Sequence, residues 1–278
     1  MPASIATDYV PGKPRLAYDH AGAGPTLLFL HGIGGNRTNW RDQLAACRDE
    51  FHAVAWDARG YGLSEDYEGA LDFADFGRDL LRLLDHLGAA RAHVCGLSMG
   101  GGIALDFHAQ YPARVASLVL CDTFAGFATS FSTAERAEFV RSRQAPLLAG
   151  KEPRDIAPAV AATLVAPSAS PQVLARVVAS MTALHKQSYL KAIEAVSRYD
   201  RSASLAEIKV PTLLLYGAED RLTPLALGRE MAARIPGARL VTIEAAGHLP
   251  NIERPEAFNA AVLGFLRGLR AASCRSSG

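Results

Sequence analysis

The sequence predicts an α/β fold: a mostly parallel, doubly wound sheet interrupted by one helical insertion. Short, continuously apolar runs rich in leucine and β-branched residues alternate with helical stretches, the pattern of strands that helices cover on both faces. Between about Phe124 and Glu207 the strand-like runs vanish and helical periodicities follow one another instead. At 278 residues and 49% hydrophobic, the chain is long and apolar enough to bury a substantial core.

In chain order, the strand-like runs are Thr26 to Leu30, Ala53 to Trp56, His93 to Leu97, Leu118 to Cys121, Thr212 to Tyr216 and Leu240 to Ile243. Between Phe73 and Leu87, Phe73, Phe76, Leu80, Leu83, Leu84 and Leu87 recur at three- and four-residue spacing. That spacing predicts an amphipathic helix, which Gly88 ends. Further helices are expected over Met99 to Gln110, Ala226 to Ile235 and Pro255 to Leu269. Inside the insertion, helical patterns run over Thr133 to Leu148, Pro171 to Leu184 and Lys186 to Val196. Pro146, Pro153, Pro158, Pro167 and Pro171 punctuate it, so its helices should be short. The expected organisation is a core over residues 1–123 and 208–271, a helical cap over 124–207 and a flexible tail over 272–278.

Twenty-nine basic against 28 acidic residues leave a formal charge of +1. No global field therefore selects nucleic acid or an anionic membrane, and a small-molecule partner fits better. Cys47, Cys95, Cys121 and Cys274 show no paired spacing, which suits a reducing, cytoplasmic setting. Met1 to Arg15 lacks the basic start and apolar stretch of a secretory signal, and no apolar run approaches the roughly 20 residues that span a bilayer.

Gly96-Leu97-Ser98-Met99-Gly100 joins an apolar run to a helical stretch, the strand, tight turn and helix that a nucleophile elbow requires. A serine thrust out of such a turn crowds the residues two before and two after it, and only glycine fits there. The helix starting at Met99 points its positive end at Ser98. A serine hydroxyl needs a base and an orienting carboxylate to attack a carbonyl. His248, after the run Leu240 to Ile243, is the candidate base, and Asp220 or its neighbour Glu219, after Thr212 to Tyr216, the candidate acid. Both lie where α/β sheets carry functional groups, beyond the C-terminal ends of strands. Candidate oxyanion donors are the backbone N–H groups of Met99 and of Ile33 in His31-Gly32-Ile33-Gly34-Gly35.

Other features read as structural. His31 braces its loop, and Asp57 and Arg59 are hydrogen-bonding residues of the Asp57-to-Ser64 loop. His20, His52, His86, His93, His108 and His185 lack zinc-site spacing, so no metal is implied. Gly32 to Arg37 has Arg37 where a dinucleotide loop needs its third glycine, and no cofactor is expected. Phe124, Phe127, Phe131, Met181 and Tyr189 either line a pocket beneath the cap or form the cap's own core.

From about Arg15 to Leu269 the chain resembles the α/β-hydrolase superfamily, and within it the 3-oxoadipate enol-lactonases. The resemblance lies in Gly96-Leu97-Ser98-Met99-Gly100-Gly101, in Ile208-Lys209-Val210-Pro211-Thr212, and in the run from Gly247 to Glu256. It implies the α/β-hydrolase fold, the chain order nucleophile, acid, base, and Asp220 rather than Glu219 as the acid. The implied activity is cofactor-free hydrolysis of a small ester or lactone, such as 3-oxoadipate enol-lactone. General carboxylesterases, carbon–carbon bond hydrolases and ligand-binding receptors on the same fold are the alternatives. The carbon–carbon hydrolases commonly carry asparagine where Leu97 stands. An anionic substrate needs a cation in the pocket, for which Arg141, Arg143 and Arg198 are the candidates.

Overall fold

Eight strands form one sheet in the order β1-β2-β4-β3-β5-β6-β7-β8, in a computed structural model that describes residues 4–276. The strands are β1 (Ala6–Val10), β2 (Leu16–Ala21), β3 (Thr26–Leu30), β4 (His52–Trp56), β5 (Ala92–Leu97), β6 (Val115–Cys121), β7 (Thr212–Gly217) and β8 (Arg239–Ile243). β1, β2 and β4 pair antiparallel, and every pair from β4 through β3 to β8 is parallel. All five residues of β3 and all six of β7 are buried, as expected of strands covered on both faces.

The eleven helices that the described residues form are α1 (Arg41–Cys47), α2 (Ala74–His86), α3 (Met99–Gln110), α4 (Phe127–Ser130), α5 (Thr133–Leu148), α6 (Pro153–Leu164), α7 (Pro171–Thr182), α8 (Lys186–Arg198), α9 (Leu225–Arg234), α10 (Pro250–Glu253) and α11 (Pro255–Ser276). The chain moves outward from β3 to β4 and then back across β3 to β5. Right-handed crossovers therefore place α1 on one face and α2 and α3 on the other. α11 packs against α1, with Phe258 and Phe29 on either side of Trp40. The reversal makes the C-terminal ends of β3 and β5 a switch point, where loops diverge and leave a crevice.

Helices α4 to α8 all lie between β6 and β7. The prolines do not keep them short. Pro153 and Pro171 start α6 and α7, where the missing N–H costs nothing, while Pro146 and Pro158 lie inside α5 and α6. β1 and β2 were not legible as strands because β1 is an exposed edge and β2 carries Asp19 and His20 within its run. α11 runs to Ser276, past both Leu269 and the start of the expected tail at Ala272, through good helix formers such as Ala271 and Ala272. Residues 277–278 of that tail lie outside the described residues. Among the described residues no helix is long and apolar enough to cross a membrane.

Buried ion pairs hold the loops after β3 and β4 together. Asp57, fully buried, accepts hydrogen bonds from the Arg37 backbone N–H at 2.7 Å, from Arg37 Nη1 at 2.6 Å and from the Leu63 N–H at 2.8 Å. Arg59 makes a two-pronged contact with buried Asp79, at 2.6 and 2.9 Å. Asp57→Ala leaves the largely buried Arg37 guanidinium with Asp19 as its one carboxylate, 2.8 Å from Nε, and two backbone donors without a partner. It should lower stability by about 3 kcal/mol in urea unfolding at neutral pH, whereas a change under 0.5 kcal/mol would show that the Asp57 contacts contribute nothing.

Candidate active site

Ser98 occupies the single residue between β5 and α3 with φ 55° and ψ −117°, a conformation rare for a side-chain-bearing residue. Its N–H donates to Cys121 O at 2.9 Å, and its carbonyl accepts from the Thr123 hydroxyl at 2.7 Å. Neighbouring backbone explains the flanking glycines. A Cβ on Gly96 would stand 2.1 Å from Gly100 O, and one on Gly100 would stand 2.1 Å from Leu30 O. Ser98 Oγ makes no hydrogen bond to any described residue and faces a cavity, with the N-terminus of α3 beside it.

His248 lies in the loop after β8 and lines the same cavity. Its Nδ1 is 2.8 Å from Asp220 Oδ2, and its backbone N–H donates to Leu164 O at 2.8 Å. Asp220, in the loop after β7, accepts from the N–H groups of Leu222 and Thr223 and from the Thr223 hydroxyl at 2.5 Å. Burial pushes the Asp220 carboxyl up, but the His248 imidazole and the Thr223 donors outweigh it and hold the group below the usual aspartate value. Glu219 is exposed, and its side chain makes no hydrogen bond to His248 among the described residues. The tautomer with the proton on Nδ1 leaves Nε2 free to accept one, the arrangement of a general base. A Ser98–His248 hydrogen bond that forms only with substrate in place is common in such sites.

Glu253, in α10, holds the histidine loop. Its buried carboxylate accepts from the backbone N–H groups of Gly247 at 3.0 Å, Leu249 at 3.2 Å and Ala166 at 2.7 Å. Thr223 and Glu253 were missed in the sequence. Thr223 had a signal, since a hydroxyl three residues past an aspartate can return to it; Glu253 reaches the Gly247 and Leu249 N–H groups locally, and only its bond from Ala166 depends on tertiary folding.

The cavity encloses about 530 Å³, within the range of small-molecule sites. Ile33 and Met99 line it, as do Phe127, Phe131 and Tyr189. Both nitrogens of His31 are occupied, by Gly32 O at 2.8 Å and the Ala58 N–H at 3.1 Å, so this histidine braces the loop. Phe139, which no sequence pattern singles out, completes an aromatic cluster with Phe124, Phe127 and Phe131. The three candidate arginines separate. Arg141 and Arg198 are exposed and paired with Glu138 and Glu194 on their own helices, away from the cavity. Arg143 lines it with Tyr189, its guanidinium 4.2 Å above the Phe139 ring and in no ion pair with a carboxylate among the described residues. Burial draws its pKa down and Tyr189 opposes the shift.

The family model described as "alpha/beta hydrolase fold" matches residues 25–255. A 3-oxoadipate enol-lactonase of Acinetobacter baylyi is 30% identical over 241 residues, covering 86% of this chain and 87% of its own. A 2-hydroxy-6-oxononadienedioate/2-hydroxy-6-oxononatrienedioate hydrolase of Burkholderia vietnamiensis is 30% identical over 268 residues, with 91% of each chain covered. Among solved structures, a thermophilic esterase from Thermogutta terrifontis superposes with a TM-score of 0.85 at 30% identity, covering 96% of this chain and 99% of its own. With its sheet order, its strand–turn–helix at Ser98 and these likenesses, the chain belongs to the α/β-hydrolase fold family and is similar to enol-lactonases within it.

Proposed function

We propose that the protein is a serine hydrolase that cleaves a small, carboxylate-bearing ester or lactone, with 3-oxoadipate enol-lactone as the model substrate. The observation that carries the reading is one cavity that holds the strained, unpartnered Ser98 hydroxyl and the outward face of an imidazole anchored on a buried aspartate. In the proposed cycle, His248 Nε2 takes the Ser98 proton as Oγ attacks the carbonyl carbon. The N–H groups of Ile33 and Met99 stabilise the oxyanion. The imidazolium then gives its proton to the departing enolate or alkoxide oxygen, leaving an acyl-serine. Water, deprotonated by the same imidazole, releases the acid and restores Ser98.

Arg143 supports the carboxylate-bearing class. Its guanidinium lies over Phe139 and pairs with no carboxylate among the described residues, while Glu135, Glu138 and Arg221 also line the cavity, so an anionic substrate would supply its missing counter-charge. The substrates in the names of both relatives are carboxylates. A second reading, a general carboxylesterase on neutral esters, draws on the likeness to the esterase and on the wall formed by Phe124, Phe127, Phe131 and Phe139. Helices α4 to α8 act in either reading as a cap that selects the substrate.

Ser98→Ala should lower kcat on p-nitrophenyl acetate by about 10³ or more with an unchanged thermal unfolding curve; near-full activity would exclude the proposed nucleophile. Asp220→Asn should cost about 10⁴ in kcat, because the amide favours the wrong imidazole tautomer. Glu219→Gln should cost less than twofold, and the reverse ranking would move the acid to Glu219. Arg143→Gln should raise KM for the enol-lactone at least tenfold, the worth of a charge-assisted hydrogen bond, and leave the KM of a neutral ester of similar size within about threefold. If wild-type kcat/KM favours the neutral ester by tenfold or more, the carboxylesterase reading replaces the lactonase one.

A further inference from the structure

A second aspartate stands behind Asp220. Asp122 directly follows β6 with φ 40°, is fully buried, and donates its own N–H to Leu215 O at 2.9 Å. Its Oδ1 accepts the Gly217 N–H at 2.8 Å, whereas its Oδ2, equally buried, meets no donor. Oxygen and nitrogen atoms of Asp122, Asp220 and His248 lie within 4.8 Å of one another, so the two buried carboxyl groups share one site. Two carboxylates cannot hydrogen-bond to one another, since neither brings a proton. Nor can both ionise so close together away from water.

We propose that Asp122 is a neutral carboxylic acid at neutral pH, that its O–H donates to the Asp220 carboxylate, and that it thereby positions Asp220 toward His248. The surrounding groups decide which aspartate keeps the proton. Asp220 has the imidazole, the Thr223 hydroxyl and two backbone N–H groups to stabilise its charge. Asp122 has one backbone N–H, and no lysine or arginine pairs with it among the described residues. The other titratable groups facing it give no help. Tyr216 directs its hydroxyl to Thr123 O at 2.5 Å, Cys121 is a buried thiol, and Glu253 is a further acid whose field opposes ionisation. Burial, and then the Asp220 charge, push the Asp122 carboxyl well above the ordinary aspartate value. As a positioning residue it never touches substrate: it supplies Asp220 with a donor that adds no charge, so the field of one carboxylate, not two, acts on the imidazole.

The inference rests on Asp220 being the carboxylate that orients His248, and its test has one readout that needs no turnover. Infrared spectra of the wild type at pH 7 should contain the C=O stretch of a buried protonated carboxylic acid, absent from Asp122→Asn. Asp122→Ala should lower kcat on p-nitrophenyl acetate at least tenfold, and Asp122→Asn, whose amide N–H can still donate to Asp220 while its carbonyl accepts from Gly217, should recover most of that loss. The acidic limb of the kcat/KM profile should coincide in Asp122→Asn and wild type. An ionised Asp122 predicts otherwise: its loss removes a negative charge beside the imidazolium and moves that limb down by about one pH unit. Absence of the infrared band, or that downward shift, overturns the proposal. An enzyme with the band but without esterase turnover would instead overturn the proposed function.

Discussion

The turn between β5 and α3 governs the distances on which the site depends. For Ser98 to leave the sheet in one residue, α3 must start almost against β3, which brings Gly100 to the Leu30 carbonyl and Gly96 to Gly100 itself. Backbone in such contact cannot relax around an added methyl group, so the position of Ser98 is set by main-chain packing and not by its own side chain. The strain at φ 55° persists because the Cys121 carbonyl, the Thr123 hydroxyl and the first turn of α3 all bind the Ser98 backbone. The same approach draws the loop after β3, with Ile33, beside the N-terminus of α3.

Around this fixed point the chain sorts its buried acids by what faces them. Asp57 and Asp79 meet arginines and act as struts for loops. Glu253 meets three backbone N–H groups and needs no cation. Asp220 meets an imidazole and a threonine, and Asp122 meets chiefly another aspartate. Buried carboxyl groups thus serve different ends because the number and charge of the donors that face them differ.

What could be read without coordinates follows from local physics. Strands β3 to β7 announce themselves because burial on both faces leaves their runs mostly apolar, the edge strand β8 does so by Leu240, Val241 and Ile243, and Ser98, Asp220 and His248 each stand just past one of these strands. The glycines flanking Ser98 carry a steric message that sequence spacing conveys directly. β1 and β2 stayed hidden because an edge position and an Asp-His pair erase the apolar pattern. α6 was obscured by Pro158, whose cost in mid-helix is met by packing against α7. Arg141 and Arg143 are two residues apart on one helix and were indistinguishable by composition; the helical turn sends one to solvent and the other to the cavity. Thr223 could have been found by its spacing from Asp220. Asp122 could not, since its meaning depends on a partner about 100 residues away, and neither could the bond that joins Glu253 to Ala166, 87 residues apart in the chain.

Glu253 also couples two parts of the molecule that a cap-and-core description keeps apart. One of its oxygens receives the N–H groups of the loop bearing His248, the other receives the Ala166 N–H just beyond α6, and the His248 N–H itself closes back onto Leu164 O. The stem of the insertion at residues 164–166 and the imidazole loop therefore form a single rigid corner. A hinge cannot operate at that corner without unseating the imidazole. Breathing motions that admit a ligand while keeping Asp220 and His248 in register must come from the opposite side of the roof, where α4 and α5 meet the aromatic cluster. The doorway and the chemistry are thus mechanically insulated from one another by one carboxylate.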